Sequence, residues 1–178
     1  MLPYKPIHIE SYDEIRTQLI ELLFSYTKEL KTTFILTDKN KVFSHIPKLK
    51  KFLTDNNLEL DICRFFITSP QDSIGIHTDG NDENPKYLAL NLPLFGCTNS
   101  YMRWWSDVKL IEVRENIDGY VKNIKVFDGT GKIPDHSLAL TTPHLVQIDI
   151  PHDVVNFQDY YRAIFSMRFK PEPLHLWS

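Results

Sequence analysis

The sequence predicts a mainly β domain with N-terminal helices, and two patterns support this prediction. From residue 58 onward, short apolar or alternating runs are separated by Pro, Gly, Asn and Asp, which is typical of successive strands joined by turns. Before residue 58, apolar residues recur at helical spacing. The 178 residues suffice for one domain. We expect a single domain over 1–178, with helical support over 1–57, a β core over 58–170 and a C-terminal tail over 171–178.

Two helices are predicted in the N-terminal support. Ser11, followed three residues later by Glu14, forms a capping-box pattern, and the apolar spacing that follows predicts a helix over 12–30. Ser44 is the predicted start of a second helix. That helix is expected to end at the asparagine pair 56–57, because an amide side chain tolerates the left-handed backbone conformation that closes a helix.

The β core contains eight or nine predicted strands. No internal repeat and no Ser/Gly-rich linker divides this region. Many short strands in one chain predict a barrel-like sandwich. The predicted strands cover residues 58–68, 73–77, 87–94, 100–105, 110–114, 120–127, 137–141, 145–150 and 161–169.

Charge and composition argue against several classes of protein. The formal net charge of -3 gives no basic balance for binding nucleic acid. No apolar stretch reaches the roughly 18 residues that a membrane-spanning helix needs. Cys63 and Cys97 are too few for a disulfide framework. We therefore expect a cytoplasmic protein with free, buried thiols and with no nucleic-acid or membrane partner.

The densest chemical pattern is His77-Thr78-Asp79. Residues two apart on a strand project from the same face, so His77 and Asp79 place an imidazole beside a carboxylate. Two histidines and one carboxylate on one side of an iron(II) ion leave the remaining coordination positions open. The pair therefore suggests two of three metal ligands. The alternative is a surface histidine next to a turn-forming Asp-Gly.

A second pattern lies near the end of the chain, where His152 is followed ten residues later by Arg162 in an apolar strand. Together the two patterns resemble the HxD…H…R motif of the 2-oxoglutarate/Fe(II)-dependent oxygenase superfamily. The sequence of this stretch is similar to the aspartyl/asparaginyl β-hydroxylase branch and to small, uncharacterised phage and bacterial oxygenases. The resemblance covers about residues 58–170.

The resemblance implies a fold, an activity and a set of roles. The fold would be a double-stranded β-helix of the jelly-roll, cupin-like type. The activity would be a dioxygenase reaction, hydroxylating a substrate with release of succinate and CO2. His77, Asp79 and His152 would hold Fe(II) as the catalytic metal ligands, and Arg162 would anchor the 2-oxoglutarate cosubstrate. His136 and His144 are the other candidates for the third ligand, but the family pattern favours His152 because of its separation from the arginine.

The strand that contains Arg162 has two distinct faces. Arg162, Ile164, Ser166 and Arg168 share one face, and the apolar residues between them share the other and are expected to pack against the helices. A planar guanidinium binds a carboxylate through two parallel hydrogen bonds, which suits Arg162 to a dicarboxylate. The alternative is that Arg162 and Arg168 pair with surface carboxylates. The commonest family pattern has Ser or Thr where this chain has Ile164.

Further cavity residues follow from strand patterns. Asn91 is a polar residue in an apolar strand and is expected to face the cavity with Tyr87. We predict that Asn91 and Ser166 contribute to cosubstrate binding, with a contact to the substrate or a structural hydrogen bond as the alternatives for Asn91. Arg64 and the cluster 103–105 are candidates for contact with a small-molecule or peptidyl substrate.

Two other functions fit the same residues. One is a cupin-like metalloenzyme that does not use 2-oxoglutarate, and the other is a non-catalytic β-barrel that binds a ligand or a protein. Arg162, as the anchor for 2-oxoglutarate, is the feature that distinguishes the predicted oxygenase from the first of these. The sequence leaves the substrate and the oligomeric state open.

Overall fold

A computed structural model describes residues 2–79, 87–114 and 124–177. This part of the chain contains twelve strands and four helices. The strands are β1 (Tyr4–Pro6), β2 (Thr33–Leu36), β3 (Leu60–Thr68), β4 (Ser73–Thr78), β5 (Leu88–Phe95), β6 (Ser100–Trp104), β7 (Lys109–Arg114), β8 (Ile124–Asp128), β9 (His136–Leu138), β10 (His144–Gln147), β11 (His152–Asn156) and β12 (Arg162–Phe169). The helices are α1 (Tyr12–Tyr26), α2 (Lys39–His45), α3 (Pro47–Asp55) and α4 (Leu174–Trp177).

The strands form two antiparallel sheets. The major sheet has the order β1-β10-β5-β12-β3-β2, and the minor sheet has the order β7-β8-β4-β11-β6-β9. Strands that are distant in the chain are neighbours in both sheets, as in a jelly roll. Apolar side chains from both sheets, among them Ala89, Val146, Trp104 and Val154, form a shared core. This architecture confirms the predicted mainly β, double-stranded β-helix fold class.

The larger core lies between the major sheet and the helices. On β12 the alternate residues Ala163, Phe165, Met167 and Phe169 belong to this core, together with buried residues of α1, α2 and α3. The prediction that the apolar face of this strand packs outward against helices is therefore confirmed. Because β12 is covered on both faces, all eight of its residues are buried. The opposite face is directed into the space between the sheets.

The helices differ from their predicted bounds. Helix α1 ends at Tyr26 instead of residue 30, and Ser11 adopts a left-handed conformation with φ of 58° and makes no side-chain cap. The predicted start of the second helix at Ser44 is wrong, because Ser44 lies near the end of α2, which begins at Lys39 after the Asp38 cap. The rest of the predicted helix is α3, a separate helix, because the chain leaves helical geometry at Ile46, before Pro47. Asn57 has the predicted positive φ, at 52°. No helix in the described residues is long and apolar enough to cross a lipid bilayer.

Three strands were not predicted. Strands β1 and β2 have three and four residues and leave little periodic pattern to detect. Strand β11 lies between the predicted strands 145–150 and 161–169, and it is buried and pairs with β4 and β6. Of the predicted strand 120–127, only the part from Ile124 lies within the described residues. Cys63 and Cys97 are free and buried, as predicted.

Gly96 is expected to tolerate no side chain. Its φ is 65°, and an added Cβ would lie 2.1 Å from the carbonyl oxygen of Tyr161 and 2.9 Å from the Cα of Arg162. Gly131 has a similar φ of 75°, but no described atom lies within 4 Å of its added Cβ. Gly131→Ala should therefore lower the free energy of unfolding by about 1 kcal/mol, and Gly96→Ala by about 3 kcal/mol.

Urea denaturation of the two variants measures both losses. Equal losses would show that the close approach of Gly96 to the start of β12 does not constrain the fold.

Candidate metal centre and adjoining cavities

The structure brings His77, Asp79 and His152 together. His77 lies near the end of β4 and is paired directly with His152, the first residue of β11. The centroids of the two imidazole rings are 4.5 Å apart. Asp79 follows β4, and its backbone N–H donates to the carbonyl of Ile148 at 2.8 Å, which holds it beside the sheet. One potential ligand atom from each of the three side chains lies within 4.8 Å of the others.

The backbone sets the orientation of both imidazoles. His77 Nδ1 lies 2.7 Å from the carbonyl oxygen of Gly75, and His152 Nδ1 lies 2.9 Å from that of Ile150. A carbonyl can only accept, so each Nδ1 carries a proton, and in the neutral ring Nε2 is the nitrogen with the free lone pair. His77 Nε2 is 3.6 Å from Asp79 Oδ1. The two Nε2 atoms and one carboxylate oxygen are therefore the atoms available to a metal ion.

Arg168 holds the other oxygen of the Asp79 carboxylate. Its Nη2 donates to Asp79 Oδ2 at 2.7 Å, and the Arg168 side chain is buried. The alternative that Arg168 pairs with a surface carboxylate is therefore wrong, because its partner is a carboxylate inside the fold. The strand alternation that put Arg168 on the face of Arg162 was the only sequence signal for this contact.

Charge and burial set the protonation states of the centre. Burial opposes ionisation of Asp79, but the positive charge of Arg168, with smaller contributions from His77, His152 and Arg64, brings its pKa down to about 2. Burial, followed by the neighbouring His77, lowers the pKa of His152 to about 4. At neutral pH the site therefore presents an ionised carboxylate beside a neutral imidazole, the protonation states in which these side chains bind metal ions.

The metal-free protein is expected to lose stability as the pH falls. The unfolded chain protonates His152 around its ordinary pKa of 6.5, whereas the folded protein does so only near pH 4. The unfolded state then binds more protons, so the free energy of unfolding decreases through this interval. Asp79 adds a second loss between its ordinary pKa of 3.8 and its folded pKa of about 2.

The His152 contribution should be on the order of 1 kcal/mol per pH unit below about pH 6. Urea denaturation of chelator-treated protein measures this slope, and His152→Gln serves as the comparison. The variant should show a shallower slope, and identical slopes would contradict the assignment to His152.

Arg162 lies buried beside this centre without a partner. It is 1% exposed, and none of its three side-chain nitrogens has a hydrogen-bond partner among the described residues. It lines a cavity of about 50 Å³ that is also lined by His77, Asp79 and His152. Burial lowers the pKa of the guanidinium. The alternative of a surface ion pair for Arg162 is therefore wrong, and an unpaired buried cation favours an anionic ligand.

Other polar side chains surround the same cavity. Asn91 and Ser166 are cross-strand partners that line it together with Arg162. Asn91 Oδ1 is buried and accepts no hydrogen bond from the described residues. Tyr87 is directed toward this region, since the guanidinium carbon of Arg168 lies 5.0 Å from its ring centroid. The predicted cavity-facing position of Asn91 is therefore found in the structure.

Thr68 is a polar residue that the sequence reasoning missed. It is the cross-strand partner of Arg162 and is fully buried, and its Oγ1 has no partner among the described residues. Alternation along β3 places Thr68 on the same face as Arg64 and Phe66, which line the cavities near the metal ligands. The same alternation in the sequence could have identified Thr68 if the pairing of β3 with β12 had been known.

The remaining candidates lie elsewhere. His144 is on β10 in the other sheet, with Nδ1 bonded to the carbonyl of Thr142, and His136 is paired with Trp104. Neither belongs to the cluster of potential ligands in the described residues. In the cluster 103–105, Arg103 Nε donates to Asp153 at 2.9 Å, and none of its three residues lines the two cavities next to the metal ligands. Of the predicted substrate-contact residues, only Arg64 lines such a cavity.

Several solved structures have a similar fold. A prolyl-4-hydroxylase from Pseudomonas putida has a TM-score of 0.54 at 13% identity, over 94% of this chain and 91% of that chain. EvdO2 from Micromonospora carbonacea var. aurantiaca, complexed with 2-oxoglutarate, has a TM-score of 0.59 at 12% identity, over 94% and 85% of the two chains. The chain has the fold of the 2-oxoglutarate-dependent oxygenases. This oxygenase fold is also that of SnoK, a non-heme alpha-ketoglutarate-dependent carbocyclase, with a TM-score of 0.51 at 11% identity over 92% and 77%.

These similarities confirm the predicted fold, as the resemblance to the oxygenase superfamily implied it. The narrower resemblance to the aspartyl/asparaginyl β-hydroxylase branch stays a prediction. No family model and no curated protein matches the sequence. At these identities the likeness concerns the fold and not the substrate.

Proposed function

We propose that this protein is an Fe(II)- and 2-oxoglutarate-dependent dioxygenase that hydroxylates its substrate. The observation that supports the proposal best is the buried, unpartnered guanidinium of Arg162 in the cavity that also contains the three potential metal ligands. A metal site alone fits many enzymes. A metal site with an adjacent buried cation fits a cosubstrate that chelates the metal at one end and carries a carboxylate at the other.

The donor set suits Fe(II). Two neutral imidazoles and one carboxylate on one side of an ion are the ligands of non-heme iron oxygenases, in which the opposite side stays open. His77, Asp79 and His152 would hold the ion, which would supply the redox chemistry that activates dioxygen. Arg168 acts on this site through Asp79, because it keeps the carboxylate ionised and occupies Oδ2, leaving Oδ1 directed toward His77.

The cosubstrate would be held by the residues around Arg162. Arg162 would bind the distal carboxylate, and Thr68, its cross-strand partner, would donate a hydroxyl to the same group. Thr68 would thereby replace the hydroxyl that the commonest family pattern places where this chain has Ile164. Ser166, four residues beyond Arg162 on β12, and its cross-strand partner Asn91 line the same cavity and would bond the middle of the cosubstrate. The burial of these groups would keep water away from the reacting atoms.

The stoichiometry of the reaction provides a test of the proposal. A substrate C–H bond, dioxygen and 2-oxoglutarate would give C–OH, succinate and CO2, with one oxygen atom of O2 entering the alcohol and the other entering succinate. Purified protein supplied with Fe(II) and 2-oxoglutarate in air should form succinate, even slowly without substrate, and formation should stop without Fe(II). If 2-oxoglutarate neither binds nor is consumed at any Fe(II) concentration, the protein is not an oxygenase of this class.

Thr68→Val should raise the Michaelis constant for 2-oxoglutarate about tenfold. The change removes one charge-assisted hydrogen bond and preserves the shape of the side chain. Thr68→Ser should restore the constant, because it retains the hydroxyl. Thr37→Val is the matched control, since Thr37 is also buried but its hydroxyl bonds the carbonyl of Ile35 away from the cavity. An unchanged constant in Thr68→Val would remove Thr68 from the cosubstrate site.

A further inference from the structure

A second, larger cavity begins at the metal ligands. It has a volume of about 370 Å³ and shares His77 and Asp79 with the smaller cavity that contains Arg162. It extends from these residues between β2 and β3 on one side and β4 and β8 on the other. Pockets of about 300 Å³ and above accommodate small molecules. A ligand in the larger cavity would therefore touch the metal centre without occupying the position beside Arg162.

The walls of the larger cavity are mainly apolar. Two aromatic residues on adjacent strands form part of one wall, since Phe34 and Phe66 are cross-strand partners with ring centroids 6.4 Å apart. Phe34 is 46% exposed, so part of its ring is open at the mouth of the cavity. The apolar residues along the cavity are Phe34, Phe66, Ile67, Ile74, Ile124 and Val126. Such walls bind apolar groups. Apart from Arg64 and the metal ligands, the polar side chains along the cavity in the described residues are Thr32 and Thr33.

Arg64 adds a positive charge to this apolar cavity. Its side chain lies two positions from Phe66 on the same face of β3, and its guanidinium carbon is 5.3 Å from the ring centroid of Phe34. Arg64 is 5% exposed and lines the larger cavity together with the metal ligands. A guanidinium in an apolar setting attracts a carboxylate more strongly than it would in water. The cavity thus combines apolar walls with one basic position.

We propose that the larger cavity is the substrate site and that its substrate is a small hydrophobic carboxylic acid. The aliphatic or aromatic body would lie along Phe34 and Phe66, with the carboxylate at Arg64 and a C–H bond toward His77 and Asp79. That the bound acid reacts rests on the proposed function, but its binding can be measured separately. A peptidyl substrate is the alternative that the test must exclude.

The first test is equilibrium binding of a homologous series. Butyrate, hexanoate and octanoate are titrated into protein loaded with Mn(II) and 2-oxoglutarate, where Arg162 is already occupied, and ligand-observed NMR measures the dissociation constants. Each added methylene should raise affinity about threefold to fourfold until the cavity is filled. Octanamide and octylamine replace the carboxylate with a neutral and a cationic group. Octanoate should bind about tenfold more tightly than octanamide, and octylamine more weakly than either.

The second test assigns the charge effect to Arg64. Arg64→Met should remove the preference for octanoate over octanamide, and Arg64→Lys should restore part of it. Lys132→Met is the matched control, because it removes the same charge from an exposed side chain. Thermal unfolding of each variant shows that it is folded. Phe66→Ser should weaken octanoate and octanamide equally, because it alters the apolar wall that both contact.

The outcomes separate this inference from the proposed function. An acid preference that disappears in Arg64→Met and persists in Lys132→Met supports it. Equal binding of acid and amide, or affinity independent of chain length, overturns it even if 2-oxoglutarate binds normally. Turnover with peptides but not with these acids also overturns it. If 2-oxoglutarate fails to bind while the acids still bind to Mn(II)-loaded protein, the proposed function fails and the acid site stands.

Discussion

His77→Ala is expected to reduce Fe(II) affinity by more than about 100-fold and to abolish formation of succinate. Loss of residues that merely orient metal ligands typically costs 10- to 100-fold in affinity, and the proposal makes His77 a direct ligand, so its loss should cost more. The change should affect stability little, because the His77 side chain is partly exposed and its Nδ1 bonds a backbone carbonyl two residues away. Anaerobic Fe(II) titration and metal analysis of the purified protein measure the first effect.

Asp79→Ala should abolish Fe(II) binding as well, but it should also destabilise the protein. The variant loses a ligand and leaves Arg168 buried without its carboxylate, which typically costs about 3–5 kcal/mol of stability. His77→Ala is therefore the cleaner test of the metal site. His144→Ala is the matched control, because His144 is a buried histidine outside the ligand cluster. Undiminished turnover in His77→Ala, or equal losses in His77→Ala and His144→Ala, would remove His77 from the metal site.

Arg162→Met is expected to raise the Michaelis constant for 2-oxoglutarate by about 100-fold or more and to leave Fe(II) binding nearly unchanged. Truncating one partner of a buried, hydrogen-bonded charge pair typically costs 2–5 kcal/mol in binding. Arg162→Lys should recover only part of the loss, since an ammonium group lacks the planar pair of donors. A constant that does not change in Arg162→Met would reassign the anchor to another cation, with Arg168 the nearest candidate on the same strand face.

Arg162→Met should weaken cosubstrate binding but should not destabilise the protein. Without cosubstrate, the buried guanidinium of Arg162 has no hydrogen-bond partner among the described residues, so its desolvation is uncompensated. Arg162→Met should therefore unfold at the same temperature as the wild type or at a higher one. Adding 2-oxoglutarate at 100 times the wild-type dissociation constant should stabilise the wild-type protein by about 2.7 kcal/mol and Arg162→Met by about 0.4 kcal/mol or less. Thermal unfolding with and without 2-oxoglutarate measures both effects.

Most of the features that could be predicted from the sequence depend on local residue patterns. The division between helical and β regions, the same-face position of His77 and Asp79, and the outward packing of Phe165 and Met167 depend on periodicity within single elements. Resemblance to a family pattern supplied His152 and Arg162. The three missed strands, β1, β2 and β11, have five residues or fewer, and their pairing depends on distant strands.

The sequence by itself determined the mainly β fold class, the same-face position of His77 and Asp79 and the presence of a basic residue on the inner face of β12. Only the tertiary structure decided how these groups meet: His152 opposite His77, Arg168 on Asp79 across 89 residues of chain, and Thr68 beside Arg162. The physical reason is that a strand's own pattern specifies which side chains share a face, whereas the identity of its neighbour depends on the packing of the whole sheet.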